Sequence, residues 1–546
     1  MTAVTDAATP VAESPSLVRT VRDACWEVFR TLGLTRFFAN PGSTEVPLLA
    51  GFPDDFDFIL GLHETSVVGM ATGWALARSA PALVLLHTTA GLGNAVGALA
   101  TARENRVPLV VLVGQQDRRH LVSEPFLTGR LEDLAGDYPV WVGTPPRAKD
   151  LPDIITRAYH EAELRRGPAL VIVPMDDWLE SAPTTRSASP VKIEAGVELP
   201  GTAATRLATA LGSAARPVIV AGSGAATLRS WAALEQISAK LGAPVWQEPF
   251  GARPGFRQNA ASFRGLLSAG RAGVRDQLAG HDLVFVVGAQ SLRQYGYEPG
   301  PLFAEGTRVI VLSDEIGKAV VSTADLAVVA SVDSTLEALA RHLPGGPDGV
   351  GDTPLPAPPA SDVLTPPQVY GALARRLDAD AAVFEETPSS RDDLVRYCPA
   401  RSPLGYISAA MGGLGFAMPT AVGLRMASPK RQVVAIVGDG SAIYSIQALW
   451  SAQRYEAGVL FVILANGRYA IMDRLASLAG GMRPWPGFGD LSFEQLAAGF
   501  GCRSQLVTTV DELDEALDVL VPLLREGTEP MVLIADVAAD AEAVLE

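Results

Sequence analysis

Two apolar, largely β-branched runs, Val433–Val437 and Val459–Leu464, end in Gly438-Asp439-Gly440-Ser441 and Ala465-Asn466-Gly467-Arg468. Runs of this kind read as strands buried on both faces, which a parallel sheet covered by helices provides. The helical spacing of Ile446, Leu449, Trp450 and Ala452 supplies the crossover between them. The two strands then carry a carboxylate, Asp439, and an amide, Asn466, to one edge of the sheet. Oxygen donors of these types suit a hard cation, Mg2+ or Ca2+. The glycines flanking Asp439 allow a tight turn. The helix opening near Ser441 turns its N-terminus toward the anion that such a cation accompanies. A lone GDG is more often only a turn; the succession of strand, turn, helix, strand and Asn singles this stretch out.

The same alternation runs through the chain. Apolar spacing at Val21, Cys25, Val28, Phe29 and Leu32 predicts a helix. Strands are expected at Thr35–Ala39, Phe56–Leu62, Ala82–Leu86, Pro108–Val113 and Ala169–Val173, then at Pro217–Ala221, Leu283–Val287, Arg308–Leu312 and Met531–Ala535. Strand-helix alternation of this sort predicts α/β domains with parallel sheets. At 546 residues the chain is too long for one core. Composition breaks at Ser181-Ala182-Pro183-Thr184-Thr185 and in the Gly- and Pro-rich run from Gly345 to Ser361. The expected division is a disordered tail at 1–15, a first domain at 16–180, a linker at 181–201, a second domain at 202–344, a linker at 345–363 and a third domain at 364–546. Gly222-Ser223-Gly224-Ala225-Ala226-Thr227 follows a strand but lacks the third glycine of a dinucleotide fingerprint, and reads as a plain strand-to-helix turn.

A net charge of −16 argues against nucleic acid or an anionic membrane as partner. Three widely spaced cysteines form neither a disulfide framework nor a metal motif. No apolar run reaches membrane-spanning length, and the N-terminus lacks a basic signal start. A soluble, cytoplasmic protein is expected.

In the first domain, polar residues cluster where strands end, the edge at which open α/β sheets place their sites. Asn40-Pro41-Gly42-Ser43-Thr44-Glu45 follows the first strand, His63-Glu64-Thr65 the second, His87-Thr88-Thr89-Ala90-Gly91 with Gly93-Asn94 the third, and Gly114-Gln115-Gln116 the fourth. Singly, each is a cap or a solvated loop residue, and for Glu45 and Thr65 that is the expectation. Together, tips carrying Ser, Glu, His and Gln read as a site.

These stretches, NPGSTEVPLL, LHETSVVGMATG, LLHTTAGLGNAVGAL and VGQQ, with GGLGFAMP, VGDGSAIYSIQALW and LANGRYAIM in the third domain, resemble the thiamine-diphosphate-dependent 2-oxo acid decarboxylases, and most closely their benzoylformate decarboxylase branch. The likeness covers nearly the whole chain after the tail. It implies three doubly wound parallel-sheet domains, pyrimidine-binding, middle and diphosphate-binding. It also implies a homo-oligomer, at least a dimer and in its expected form a tetramer, with each site formed between two chains.

By position, the resemblance assigns the metal to Asp439, Asn466 and the Arg468 carbonyl. Ala465 departs from an asparagine common in the family without touching a ligand. Glu64 matches the carboxylate that exchanges a proton with the cofactor's aminopyrimidine. Leu414 matches the bulky residue that folds the cofactor from below. Further cofactor contacts fall at Asn94, Thr387, Ser389, Ser390, Gly438, Gly440, Ser441, Tyr469, Ala470 and Ile471. Ser43 matches the hydroxyl that binds the substrate carboxylate, and His87 an active-site histidine. Ile471 and Met472 match the substrate pocket, beside which the acidic Asp473 is unexpected. A second family histidine is replaced by Tyr295, a poorer proton shuttle at neutral pH. The implied reaction is non-oxidative decarboxylation of an aryl or bulky aliphatic 2-oxo acid to its aldehyde. A carboligase or lyase acting on 2-hydroxy ketones is the alternative, and a ThDP-binding protein without turnover a second one.

Overall fold

The computed structural model describes residues 19–182, 191, 193, 196–291, 293–347 and 349–538. The expected tail at 1–15 and part of the expected linker at 181–201 lie outside these residues. Three six-stranded sheets follow one another along the chain. The first holds β1 (Arg36–Asn40), β2 (Asp57–Leu60), β3 (Ala82–His87), β4 (Leu109–Gln115), β5 (Trp141–Gly143) and β6 (Pro168–Pro174) in the order 2-1-3-4-6-5. The second holds β7 (Pro217–Ala221), β8 (Val245–Gln247), β9 (Phe263–Leu266), β10 (Leu283–Val287), β11 (Arg308–Ser313) and β12 (Leu326–Val329) in the order 12-11-10-7-8-9. The third holds β13 (Ala382–Glu386), β14 (Ile407–Ser408), β15 (Val433–Gly438), β16 (Leu460–Ala465), β17 (Arg503–Val507) and β18 (Met531–Asp536) in the order 14-13-15-16-18-17.

Neighbouring strands pair in parallel throughout, with Val434 to Gly438 in register with Leu460 to Leu464. Every residue of β4 and of β6 is buried, as the apolar runs require of strands covered on both faces. The strands β5, β8, β9, β12, β13, β14 and β17 escape sequence reading: β5, β8 and β14 are only two or three residues long, β9 and β17 mix polar with apolar residues, and β12 and β13 hold apolar runs of only four and three residues. The crossover after β15 also differs from a single helix. It is a short helix Asp439–Ile443, a tightened turn, and a second helix Ala448–Arg454. No helix among the described residues is long and apolar enough to cross a membrane.

The first and third sheets share one buried core, which joins Phe38, Val84 and Val111 to Phe384, Val433 and Phe461. Its centre is the crossing of helix Glu64–Arg78 with helix Ala417–Ala427. Glycines let the two backbones touch. A Cβ on Gly73 would stand 1.9 Å from the Thr420 carbonyl oxygen, and one on Gly423 would stand 1.8 Å from that of Met70. In an ordinary helix, Gly→Ala gains up to about 1 kcal/mol of propensity. Here a backbone oxygen cannot move aside, and overpacking of this kind costs about 1–3 kcal/mol or more. Gly423→Ala is therefore expected to lower the melting temperature by several degrees; an unchanged or raised value in calorimetry would contradict this packing.

Candidate active site

Glu64 opens its helix directly after β2, with His63 at the N-cap accepting the Thr65 N–H through Nδ1 at 3.1 Å. Its carboxylate is buried and receives two amide donors, Asn40 Nδ2 at 2.9 Å and Asn94 Nδ2 at 3.0 Å. The pairing with Asn94 joins two residues singled out in the sequence. Asn40 was not singled out; its place at the tip of β1, beside β2, is the signal that finds it. Among the described residues no basic side chain hydrogen-bonds this carboxylate.

A second cluster forms at the tips of β1, β3 and β4. His87 Nδ1 lies 3.0 Å from Glu45 Oε2 and 3.0 Å from Thr44 Oγ1, and Thr44 donates to Glu45 Oε1 at 2.5 Å. The Gly42 N–H also donates to Glu45 Oε2, at 2.8 Å. Glu45 is 1% exposed, so the expectation of a solvated loop residue fails. It does cap its turn, but it is buried because its carboxylate also takes the imidazole. Space for the pair comes from glycine. A Cβ on Gly42 would stand 2.3 Å from the His87 ring, and one on Gly114 would stand 1.8 Å from Glu45 Oε1. Ser43 is exposed beside this cluster. Gln115, by contrast, is spent on the chain itself. It donates to the Gly129 carbonyl at 2.7 Å and accepts that residue's N–H at 3.1 Å, so the fourth strand tip braces a loop.

In the third domain, Asp439 sits at the tip of β15, 3% exposed. Its Oδ2 accepts the N–H groups of Asn466 and Gly467 at 2.8 and 2.6 Å, and its Oδ1 that of Gly440 at 2.7 Å. Asn466 Oδ1 in turn accepts the Arg468 N–H at 3.2 Å. Asp439, Asn466 and Arg468 are thus brought together, as their positions on adjacent strands predict. Burial pushes the Asp439 carboxyl above its ordinary range, against the pull of the Gly467, Asn466 and Gly440 N–H groups. A buried carboxylate served only by backbone donors, beside an amide oxygen and a main-chain carbonyl, is a donor set suited to a hard divalent cation. Among the described residues no three His, Cys, Asp or Glu converge.

Of the two glycines flanking Asp439 neither has positive φ and only Gly440 is confined by space, whereas Gly467 in the facing loop has φ of 68°. Gly438 has φ of −68°, and Gly440 is not among the residues with positive φ. Gly440 is needed because the Tyr469 ring lies 2.4 Å from where its Cβ would be. Tyr469 packs edge-on against Phe488 at 4.9 Å, and the Phe488 N–H bonds the Gly467 carbonyl at 2.8 Å. The segment after helix Ala470–Leu478 thereby folds back over the Asn466–Arg468 loop. Ser441 is buried in the first turn after Asp439, Ile471 is half-buried and Met472 is 43% exposed. No residue of helix Ala470–Leu478 is buried within the chain. Asp473 accepts from Arg483 and from the Trp485 indole, each at 3.0 Å. That clasp to the returning segment accounts for an acid in an otherwise apolar neighbourhood.

At the tip of β13, Thr387 and Ser390 are buried and Ser389 half-buried. The Ser390 hydroxyl lies 2.6 Å from that of Tyr370, and Thr387 donates to Glu385. Leu414 is half-buried in a loop between Gly412 and Gly415, which have φ of 69° and 87°. The middle domain's Gly222-Ser223-Gly224 turn is closed from within: Glu248 Oε1 accepts the Ser223 N–H at 2.7 Å, where a dinucleotide phosphate would otherwise be received. Tyr295 is 73% exposed, its N–H bonded to the Ala269 carbonyl. Within one chain it is not brought to His87. Nor do Glu64 and Asp439 share a hydrogen-bond partner.

The chain is similar to proteins whose chemistry matches these groups. It is 36% identical over 512 residues to the benzoylformate decarboxylase of Pseudomonas aeruginosa, covering 92% of this chain and 96% of that one. The structure superposes with a TM-score of 0.89 and 36% identity on a thiamine diphosphate-dependent 4-hydroxybenzoylformate decarboxylase from Rhodococcus jostii, covering 96% of this chain and all of that one. The benzoylformate decarboxylase of Polynucleobacter necessarius gives a TM-score of 0.90 at 28% identity, covering 96% of this chain and 100% of that one. Residues 19–134, 204–339 and 389–535 match, in order, the N-terminal TPP binding domain, the central domain and the C-terminal TPP binding domain of thiamine pyrophosphate enzymes. With all three domains present in that order, the chain belongs to the thiamine pyrophosphate enzyme family.

Proposed function

We propose that this protein is a thiamine-diphosphate- and Mg2+-dependent carboxy-lyase that converts an aryl or bulky aliphatic 2-oxo acid, of the benzoylformate kind, to its aldehyde and CO2. The observation that carries this reading is the pair of prepared ends. One is a buried carboxylate, Glu64, held by two amides; the other is an oxygen donor set at Asp439, Asn466 and Arg468. Both occur in a chain 36% identical to a benzoylformate decarboxylase.

When bound, the cofactor supplies a nucleophilic carbon and an electron sink for loss of CO2. The protein's part is to hold and to move protons. Asp439, Asn466 and the Arg468 carbonyl hold the cation (Mg2+, or Ca2+ in its place). Gly438, Gly440, Ser441, Thr387, Ser389, Ser390, Tyr469, Ala470 and Ile471 surround the diphosphate arm, and Leu414 supports the cofactor. Glu64, steadied by Asn40 and Asn94, exchanges a proton with the aminopyrimidine. Ser43 receives the substrate carboxylate. His87, whose Nδ1 is engaged by Glu45, offers Nε2 for proton transfer to the product. Ile471 and Met472 meet the substrate side chain, and Tyr295 reaches the same pocket from the middle domain of a second subunit. The active unit is at least a dimer, and a tetramer in its full form. The apolar residues left uncovered on helix Ala470–Leu478 and the lack, among the described residues, of a hydrogen-bond partner common to Glu64 and Asp439 support this. Three buried free cysteines fit a cytoplasmic, reducing setting.

The test is incubation of the purified protein with thiamine diphosphate, Mg2+ and a panel of 2-oxo acids, following CO2 and carbonyl products. Aldehyde release, fastest with aryl or bulky side chains, is expected. A 2-hydroxy ketone as the main product would assign ligation instead, and no product from any acid would overturn an enzymatic role.

A further inference from the structure

Two glutamates end β13, and because successive strand residues point to opposite faces they meet different surroundings. Glu385 is enclosed by polar groups: Arg391 Nε at 3.0 Å, the Ser408 hydroxyl at 2.6 Å, the Tyr406 hydroxyl at 3.3 Å and the Thr387 N–H at 2.6 Å. Burial works against its charge, but Arg391, Ser408 and Thr387 together hold the carboxyl below its ordinary range. Among the described residues Glu386 is hydrogen-bonded only by backbone N–H groups. Its Oε1 accepts the Gly415 N–H at 2.7 Å, and its Oε2 accepts those of Phe416 and Ala417 at 2.9 and 2.8 Å. Burial, set against these three donors, pushes its carboxyl up to about 7.

Those donors lie where helix Ala417–Ala427 begins. The helix has no side-chain cap of its own; Phe416 stands at the N-cap without one. A helix leaves its first N–H groups unsatisfied and carries positive potential there. Glu386 answers both from a different element, some thirty positions earlier in the chain. The residue just before the first of these N–H groups is Leu414. The helix that is capped is also the one locked onto helix Glu64–Arg78 through Gly69, Gly73 and Gly423. One carboxylate therefore ties the Leu414 loop to the helix pair that carries Glu64.

We propose that Glu386 is a positioning residue for the reaction: it fixes the height and tilt of the Gly412–Phe416 loop, and so presents Leu414 to the cofactor. This rests on the placement of Leu414 beneath the cofactor given above. In this role Glu386 acts through the loop that carries Leu414, by way of its bonds to the Gly415, Phe416 and Ala417 N–H groups.

Glu386→Gln keeps the shape but replaces one carboxylate oxygen by an NH2 that must face an N–H donor. Losing one such buried bond is expected to cost roughly 10–100-fold in a local equilibrium, which is about 1.4–2.8 kcal/mol. Four full-length variants test this: Glu386→Gln, Glu386→Asp, Leu414→Ala and the double variant Glu386→Gln with Leu414→Ala. In the protein without cofactor, amide hydrogen exchange at Gly415, Phe416 and Ala417 is expected to quicken ~10–100-fold in Glu386→Gln, with the global melting temperature within a few degrees of wild type. With thiamine diphosphate and Mg2+ bound, exchange of the thiazolium proton into D2O is expected to slow by a similar ~10–100-fold, and the double variant should be no slower than the slower single one. Should Glu386→Gln fail to fold, Glu386→Asp, which keeps the charge one methylene short, carries the same two readouts with smaller effects. Wild-type amide protection, wild-type proton exchange, or independent multiplication of the two effects would overturn the role of Glu386. Wild-type proton exchange in Leu414→Ala alone would instead overturn the placement of Leu414.

Discussion

Asp439→Ala is expected to weaken Mg2+-dependent binding of thiamine diphosphate by more than ~100-fold, beyond the 10–100-fold cost of losing an outer-shell partner of a metal ligand. Two losses combine. One oxygen ligand disappears, and the Asn466 and Gly467 N–H groups, bonded to Asp439 Oδ2 at 2.8 and 2.6 Å, lose the acceptor that shapes their loop. Asp439→Asn separates these effects, since it retains an oxygen for the loop but not the charge for the cation. Titration calorimetry in the presence of Mg2+ reads both variants. Wild-type affinity in Asp439→Ala would remove the metal from this site.

Glu64→Gln is expected to bind the cofactor within about tenfold of wild type and yet to lower kcat by ~2–4 orders of magnitude, the range for losing a proton-transfer group. The affinity is spared because Gln keeps an oxygen for one of the two amide donors, Asn40 or Asn94. The rate is not, because an amide exchanges no proton with the aminopyrimidine. Steady-state kinetics with a 2-oxo acid from the panel, alongside calorimetry for the cofactor, measures the split. Near-normal kcat would contradict the role.

Much of this site can be read before any coordinates exist, for a physical reason. Parallel strands buried on both faces are written in long β-branched runs, and their C-terminal tips are where ligands are received. The placement of Asp439 and Asn466 at adjacent strand ends is legible in that way, as is that of Glu64, Asn94 and His87 around the tips of the first sheet; their roles are the proposal above. What escapes is whatever depends on contacts distant in sequence. Glu45 reads as a cap, yet it is buried against His87, 42 positions further on. Nothing in the local sequence marks Glu385 and Glu386 as different, yet the pleat sends them to opposite faces and pushes their carboxyls in opposite directions. Asp473 reads as a misplaced acid until Arg483 and Trp485 fold back onto it. The glycines beside Asp439 read as torsional devices, whereas Gly440 makes room for the Tyr469 ring. Tyr295 stands exposed at the surface of the chain, its N–H bonded to the Ala269 carbonyl, a placement that no local pattern around it announces.

The central claim is that Glu64 of one chain and Asp439 of another serve the same cofactor, and subunit mixing tests it most directly. In a two-fold dimer of Glu64→Gln with Asp439→Ala, one of the two sites pairs both mutations and the other recovers both intact residues. Random exchange between the two inactive proteins should then restore about a quarter of wild-type activity, since half the dimers are mixed and each holds one whole site. Activity that stays at the level of the separate variants, after exchange has been shown by mass spectrometry to be complete, would contradict a site shared between chains.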